Sequence, residues 1–207
     1  MSCFPFFKEI NGKRVLVIGG GEVALRRTSA LIGFGAKVTC IAENFCDGFS
    51  GLDAECIRRK LEVADVYDWD IVIAATDDKS LNTAVARLAK AQGAEVNAAD
   101  DPKLSTFSFP GIVRRGGMTI AISSGGSSPS AVKFVKERIE EAIPDHFECV
   151  LQSMETARKL ARRIIPEQKK RAAILRHVFD FCINAPEQPD AAAMEDMIHS
   201  FRSTELD

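Results

Sequence analysis

Apolar residues fall in short unbroken runs through the first half of the chain and at helical spacing through much of the second. The run "KRVLVIG" at 13–19 is β-rich and unalternated, the pattern of a strand buried on both faces. Residues 22–34 carry helix formers, and Gly33 and Gly35 in "GFGA" end that helix. "KVTCIAE" at 37–43 reads as a second strand. "DWDIVIAATDD" at 68–78 ends in a third, and "LNTAVARLAKAQG" is a helix stopped by Gly93. "AEVNAADD" at 94–101 supplies another short strand. Strands alternating with helices of this length predict an α/β domain, a doubly wound parallel sheet of β-α-β units.

The pattern changes after Pro110. "GIVRRGGMTIAISSGG" holds two short strands split by Gly116 and Gly117, a hairpin or an edge extension. A helix follows through "SPSAVKFVKERIEEAI" and stops before Pro144. Ser128 stands at its N-cap and Pro129 at its first position, where the missing N–H costs nothing. Residues 145–207 show no strand pattern and read as helices interrupted by Pro166 and by "NAPEQPD". No internal repeat is evident.

Composition narrows the class. A 46% apolar content supports a buried core, and 27 Lys and Arg against 29 Asp and Glu point to neither nucleic acid nor membrane. The eight basic residues within 156–176 come without interleaved aromatics, so they read as a solvated helical face. No apolar run approaches the roughly 20 residues of a membrane span, and the start lacks a leader pattern, so the expected location is cytoplasmic. Cys3, Cys40, Cys46, Cys56, Cys149 and Cys182 form no C-x-x-C pair and stand apart from the three histidines. No metal-ligand set is expected, and most of the thiols read as buried or half-buried.

The chemistry starts at Gly19-x-Gly21-x-x-Ala24, which follows a strand and opens a helix. The first glycine permits a tight turn, the second lets backbone approach a pyrophosphate, and Ala24 allows close packing of helix on strand. The helix N-terminus, with Glu22 and Val23 in its first turn, offers N–H groups to phosphate. Glu43, with Asn44 beside it, ends the second strand, where a carboxylate binds ribose hydroxyls and favours NAD over NADP. Glycines that merely make a tight turn are the alternative. Arg26 and Arg27 are expected on a solvated helix face. Thr76 and Asp77 follow the third strand and are placed in the cofactor cleft, on its nicotinamide side. Asp100 lies just past a strand at the carboxyl edge, where ligands bind in such sheets. A surface Asp-Asp-Pro turn is the competing explanation for it.

Several stretches, in order, make a resemblance: "FPFFKEINGKRVLVIGGGEVA", "AATDDKSLN", "VNAADDP" and "STFSFPGIVRRGGMTIAISSGGSSPSAVKFVKERIEE". Over residues 4–145 the chain resembles the precorrin-2 dehydrogenases of siroheme synthesis, some of which also chelate iron. The resemblance implies a Rossmann-type sheet, a small strand-helix dimerisation segment and a C-terminal helical region. Their boundaries fall at 1–112, 113–145 and 146–207. It implies NAD-dependent oxidation of precorrin-2 to sirohydrochlorin by a homodimer, with Fe²⁺ as a possible second substrate. Asp100 then takes the position of a carboxylate implicated in both activities. Asn97, Arg114, Ser124, Gly125, Gly126 and Ser128 fall on the side of the tetrapyrrole and its carboxylates. Two rivals stay open: a non-enzymatic NAD-responsive sensor, and a dehydrogenase of another polycarboxylated substrate.

Overall fold

The computed structural model describes residues 4–185 and 187–203, and Cys3 lies outside them. The chain divides into two compact units, one of Phe4–Phe109 and one running from Pro110.

The first unit is a five-stranded parallel sheet in the order β3-β2-β1-β4-β5. Its strands are β1 (Arg14–Ile18), β2 (Lys37–Ala42), β3 (Glu55–Arg58), β4 (Ile71–Ala74) and β5 (Glu95–Ala98). Helix α1 (Glu22–Ile32) joins β1 to β2, and α2 (Lys79–Ala91) joins β4 to β5. The central strands β1 and β4 are almost wholly apolar because both faces are covered. Val15, Val17, Ile71 and Ile73 pack with Ala24 and Leu31 of α1. Leu16, Val72, Ala74 and Val96 pack with Val85, Ala86 and Ala89 of α2. Each such side chain fully removed from water contributes about 1.5–3 kcal/mol.

β3 is a strand that the sequence pattern does not announce. It pairs with β2, in the register Thr39 to Glu55 through Ala42 to Arg58. As an edge strand it buries almost nothing, so its four residues carry no apolar run. Three of the five described cysteines are buried or half-buried. Cys40 and Cys182 are buried, Cys46 is half-buried, but Cys56 and Cys149 are exposed. Burial pushes the Cys40 thiol up to about 12, so it packs as an apolar group.

In the second unit β6 (Gly111–Arg115) and β7 (Met118–Ile122) form an antiparallel hairpin. Gly116 takes φ +53° in the two-residue turn, a conformation that favours glycine. α3 (Pro129–Ala142) follows with Ser128 as its N-cap, the Ser128 hydroxyl accepting from Ala131 N at 3.1 Å. α4 (Phe147–Ile164), α5 (Gln168–Asn184) and α6 (Ala191–Ser203) close a separate core on Val150, Ala161, Ile174, Val178 and Ile198. Within the basic run, Arg171 donates to the Ile165 carbonyl at 2.8 Å and also to that of Pro166, tying the α4–α5 corner. No helix among the described residues is long and apolar enough to cross a membrane.

One ion pair gives the first unit a testable acid response. Arg59 donates to both Asp65 oxygens, at 2.7 and 2.6 Å. That bond, more than the Glu62 N–H, holds the Asp65 carboxyl below the usual carboxylate range. A lowered folded-state pKa gives stability that is complete above the unfolded pKa, about 4, and drains away as pH falls below it. Trp69, whose Nε1 donates to the Asp65 carbonyl at 2.7 Å, reports on this corner by fluorescence. Urea midpoints are expected to separate wild type from Asp65→Asn near neutrality and to draw together as pH falls below about 4. A gap of constant size across that range would refute the assignment.

Candidate functional site

Three strand exits meet at the glycine turn. Gly19 takes φ +121°, and a Cβ there would fall on the Ala75 carbonyl oxygen. A Cβ on Gly20 would fall on that of Asn44. The backbone bonds agree: Gly19 N donates to Ile41 O, Cys46 N to Gly20 O and Ala75 N to Ile18 O. The turn is therefore seated against the segments that leave β2 and β4.

Gly21 differs. Nothing lies within 4 Å of where its Cβ would be, and as N-cap of α1 it supplies no side-chain hydrogen bond. The first N–H groups of this 11-residue helix thus have no side-chain cap, with Glu22 and Val23 exposed beside them. This arrangement fits the pyrophosphate of a dinucleotide. Glu43 and Asn44 are exposed at the end of β2, where ribose hydroxyls would meet them.

Asn82 is the organising side chain that sequence reading misses. It is fully buried on α2, yet all four of its hydrogen-bonding positions are used. Its Oδ1 accepts from Thr76 N at 3.0 Å and Thr76 Oγ1 at 2.8 Å. Its Nδ2 donates to Thr76 O at 2.9 Å and to Asp100 Oδ1 at 3.2 Å. A chain of contacts thus runs from Gly19 through Ala75 and Thr76 to Asn82 and Asp100. The available signal was an Asn heading the stripe Asn82, Val85, Ala86, Ala89, whose other members are apolar. Asp78 caps the same helix, accepting from Ser80 N and Leu81 N, and the Ser80 hydroxyl together with these N–H groups lowers its pKa.

The structure brings Gly19, Gly21, Thr76 and Asp100 to one edge of the sheet, with Asp77 and Asp100 exposed. Asn97 is different: it is 5% exposed and its Nδ2 donates to the Phe107 carbonyl at 2.8 Å. Its visible work is to hold the chain that follows Asp100. Arg27 overturns an expectation. It is half-buried over the Phe109 ring, because the chain after β5 folds back onto α1; Arg26 is exposed as expected.

In the second unit, Ser124 and Ser128 hold each other. Ser124 Oγ accepts from Ser128 N at 3.0 Å and donates to Ser128 O at 3.2 Å. Gly125 and Gly126 take φ +64° and +87° and are exposed, and Arg114 is exposed on β6. His146 precedes α4 and its Nε2 lies 3.2 Å from the Ile183 carbonyl, a structural contact. Among the described residues no three His, Cys, Asp or Glu side chains converge as a metal site.

Sheet order, glycine turn and open helix N-terminus together define a dinucleotide-binding unit of the doubly wound class. The chain belongs to the family described as "Putative NAD(P)-binding", whose model matches residues 6–111. Among named relatives, a siroheme synthase 2 from Aeromonas hydrophila is 35% identical over 172 residues, 80% of this chain and 36% of that protein. A siroheme synthase from Methylococcus capsulatus is 35% identical over 190 residues, 90% of this chain and 39% of that protein. The chain thus spans less than two fifths of the length of these curated relatives. Its fold matches the solved structure of SirC, precorrin-2 dehydrogenase, with a TM-score of 0.72 at 21% identity, over 98% of this chain and 100% of that one.

Gly21 allows the cofactor site to be separated from the fold. Gly21→Ala should leave the melting temperature within a few degrees, since an N-cap change costs about 1 kcal/mol. Nucleotide affinity should fall at least about tenfold, because the methyl occupies the space meant for phosphate. Gly20→Ala should damage both, since its methyl meets backbone. Equal NAD⁺ titration curves for wild type and Gly21→Ala would remove the pyrophosphate from this turn.

Proposed function

We propose that this chain oxidises precorrin-2 to sirohydrochlorin, with NAD⁺ as its oxidant. The observation that carries the reading is the fixed line from Gly19 through Thr76 and Asn82 to Asp100. It joins the cofactor turn to an exposed carboxylate at the carboxyl edge of the sheet. The printed names of the relatives supply the substrate class.

Bound at the turn, NAD⁺ supplies the hydride acceptor. The N–H groups opening α1 hold the pyrophosphate, and Glu43 accepts from the ribose hydroxyls and repels a 2′-phosphate. The substrate loses a hydride and a proton in this oxidation, and Asp100 accepts the proton through its carboxylate. In the second unit, Arg114 and the Ser124–Ser128 loop before α3 offer a cation and backbone N–H groups to substrate carboxylates. The reading includes a homodimer made through residues 113–145. No residue of α3 is buried, and Phe134 and Val135 are 58% and 41% exposed.

The test is an anaerobic absorbance course with precorrin-2 and NAD⁺. Sirohydrochlorin and NADH should appear in equal amounts, and NADP⁺ should serve poorly. Asp100→Asn should lower kcat on the order of a hundredfold while NAD⁺ affinity stays within about twofold. Absence of turnover by wild type, or full turnover by the variant, would end this assignment. Fe²⁺ added afterwards tests a second step: a protein-dependent shift to the siroheme spectrum adds chelation, and the enzyme-free rate leaves a dehydrogenase. For the dimer, Phe134→Asp should halve the sedimenting mass, whereas a monomeric wild type would contradict it.

A further inference from the structure

The first unit holds a cation for which stability gives no account. Arg27 lies on the flank of the α1 stripe Ala24, Thr28 and Leu31 that faces the sheet. Its guanidinium carbon sits 5.2 Å from the centroid of the Phe109 ring. Its Nη1 is buried and has no hydrogen-bond partner. Burial, then the neighbouring Arg26, pulls its pKa below the ordinary arginine value, and the Asp100 charge pulls it back up. An unpaired buried N–H costs more than a partly exposed cation–π contact returns. A side chain retained on such terms has work other than holding the fold together.

What Arg27 touches indicates that work. Phe109 and Asp100 bracket one segment, the chain that leaves β5 and turns back over α1. Its middle is fastened, since the Phe107 carbonyl accepts from buried Asn97 and the Phe107 and Phe109 rings lie 5.5 Å apart. Arg27 meets the far end by stacking on Phe109. Asn82 holds Asp100 from α2, on the opposite face of the sheet.

We propose that Arg27 is a positioning residue for Asp100: stacked on Phe109, it keeps segment 100–109 against the cofactor helix. Its role in turnover rests on the assignment of Asp100 as proton acceptor. Its role in holding the segment does not.

Two measurements on Arg27→Met, which keeps the stem and removes the charge, decide the matter. Hydrogen exchange with NAD⁺ and no substrate should quicken at least about fivefold across 100–109, with the β1 and β4 amides unchanged. In turnover, kcat should fall about tenfold with KM for precorrin-2 within about twofold, and Arg27→Lys should restore most of the loss. The Arg27→Met/Asp100→Asn double variant should be no slower than Asp100→Asn alone. Unchanged exchange in 100–109, or additive losses in the double variant, would overturn the proposal. If Arg27→Met does not fold, Arg27→Gln carries the same expectations. If wild type turns over no precorrin-2, the functional assignment falls, and the exchange result still decides whether Arg27 holds the segment.

Discussion

Two backbone carbonyls occupy the space where side chains of Gly19 and Gly20 would stand, and the arrangement of the edge follows from that contact. Ala75 O fills one place and Asn44 O the other. Overlap with backbone cannot be relieved by rotating a side chain, so any larger residue forces the exits of β2 or β4 away from β1. With both glycines in place, the exits of these three strands share one small volume. Thr76 then lies where Asn82 can bind it on three atoms, and the fourth bond of that amide reaches Asp100.

The two units meet their polar needs in different ways. In the second, the loop before α3 is closed on itself, with Ser128 capping the helix and Ser124 bonded to Ser128 at both backbone atoms. Its glycines at positive φ shape the turn. In the first unit the N-cap of α1 is a glycine and contributes no capping atom. Helix N-termini that lack a side-chain cap leave their N–H groups to solvent or to an anion. The contrast separates a helix start that carries its own side-chain cap from one that does not.

Most of the fold is legible in the chain because its signals are local. Unbroken apolar runs mark β1 and β4, and Ser128 with Pro129 marks the start of α3. β3 escapes because an edge strand has no second buried face to impose a pattern. The glycine turn is legible for the same local reason, since strand, glycines and helix are contiguous. Asn82 and Arg27 are not. An Asn heading an apolar helical stripe carries no sign of what waits above it, and an Arg on α1 reads as solvated. Only the return of residues 100–109 over the sheet gives Arg27 a ring to lie on and Asn82 a carboxylate to hold. Which cysteines stand exposed, Cys56 and Cys149, likewise depends on the neighbours that the fold supplies.

Two aspartates of the first unit are held in contrasting ways. Asp65 is clamped by both arms of Arg59, which engages both oxygens and favours the ionised form. A carboxylate so held makes a poor proton acceptor, because protonation would break a charge-assisted pair. Asp100 meets a neutral amide donor at 3.2 Å and stays exposed. One N–H fixes the direction of the carboxylate without neutralising it, so an oxygen can take a proton while the Asn82 bond persists. An Asp that needed only to stabilise the loop would be better served by the Asp65 arrangement. The use of a buried amide, whose every bond is committed, to orient one exposed carboxylate is the feature that separates Asp100 from an ordinary turn residue.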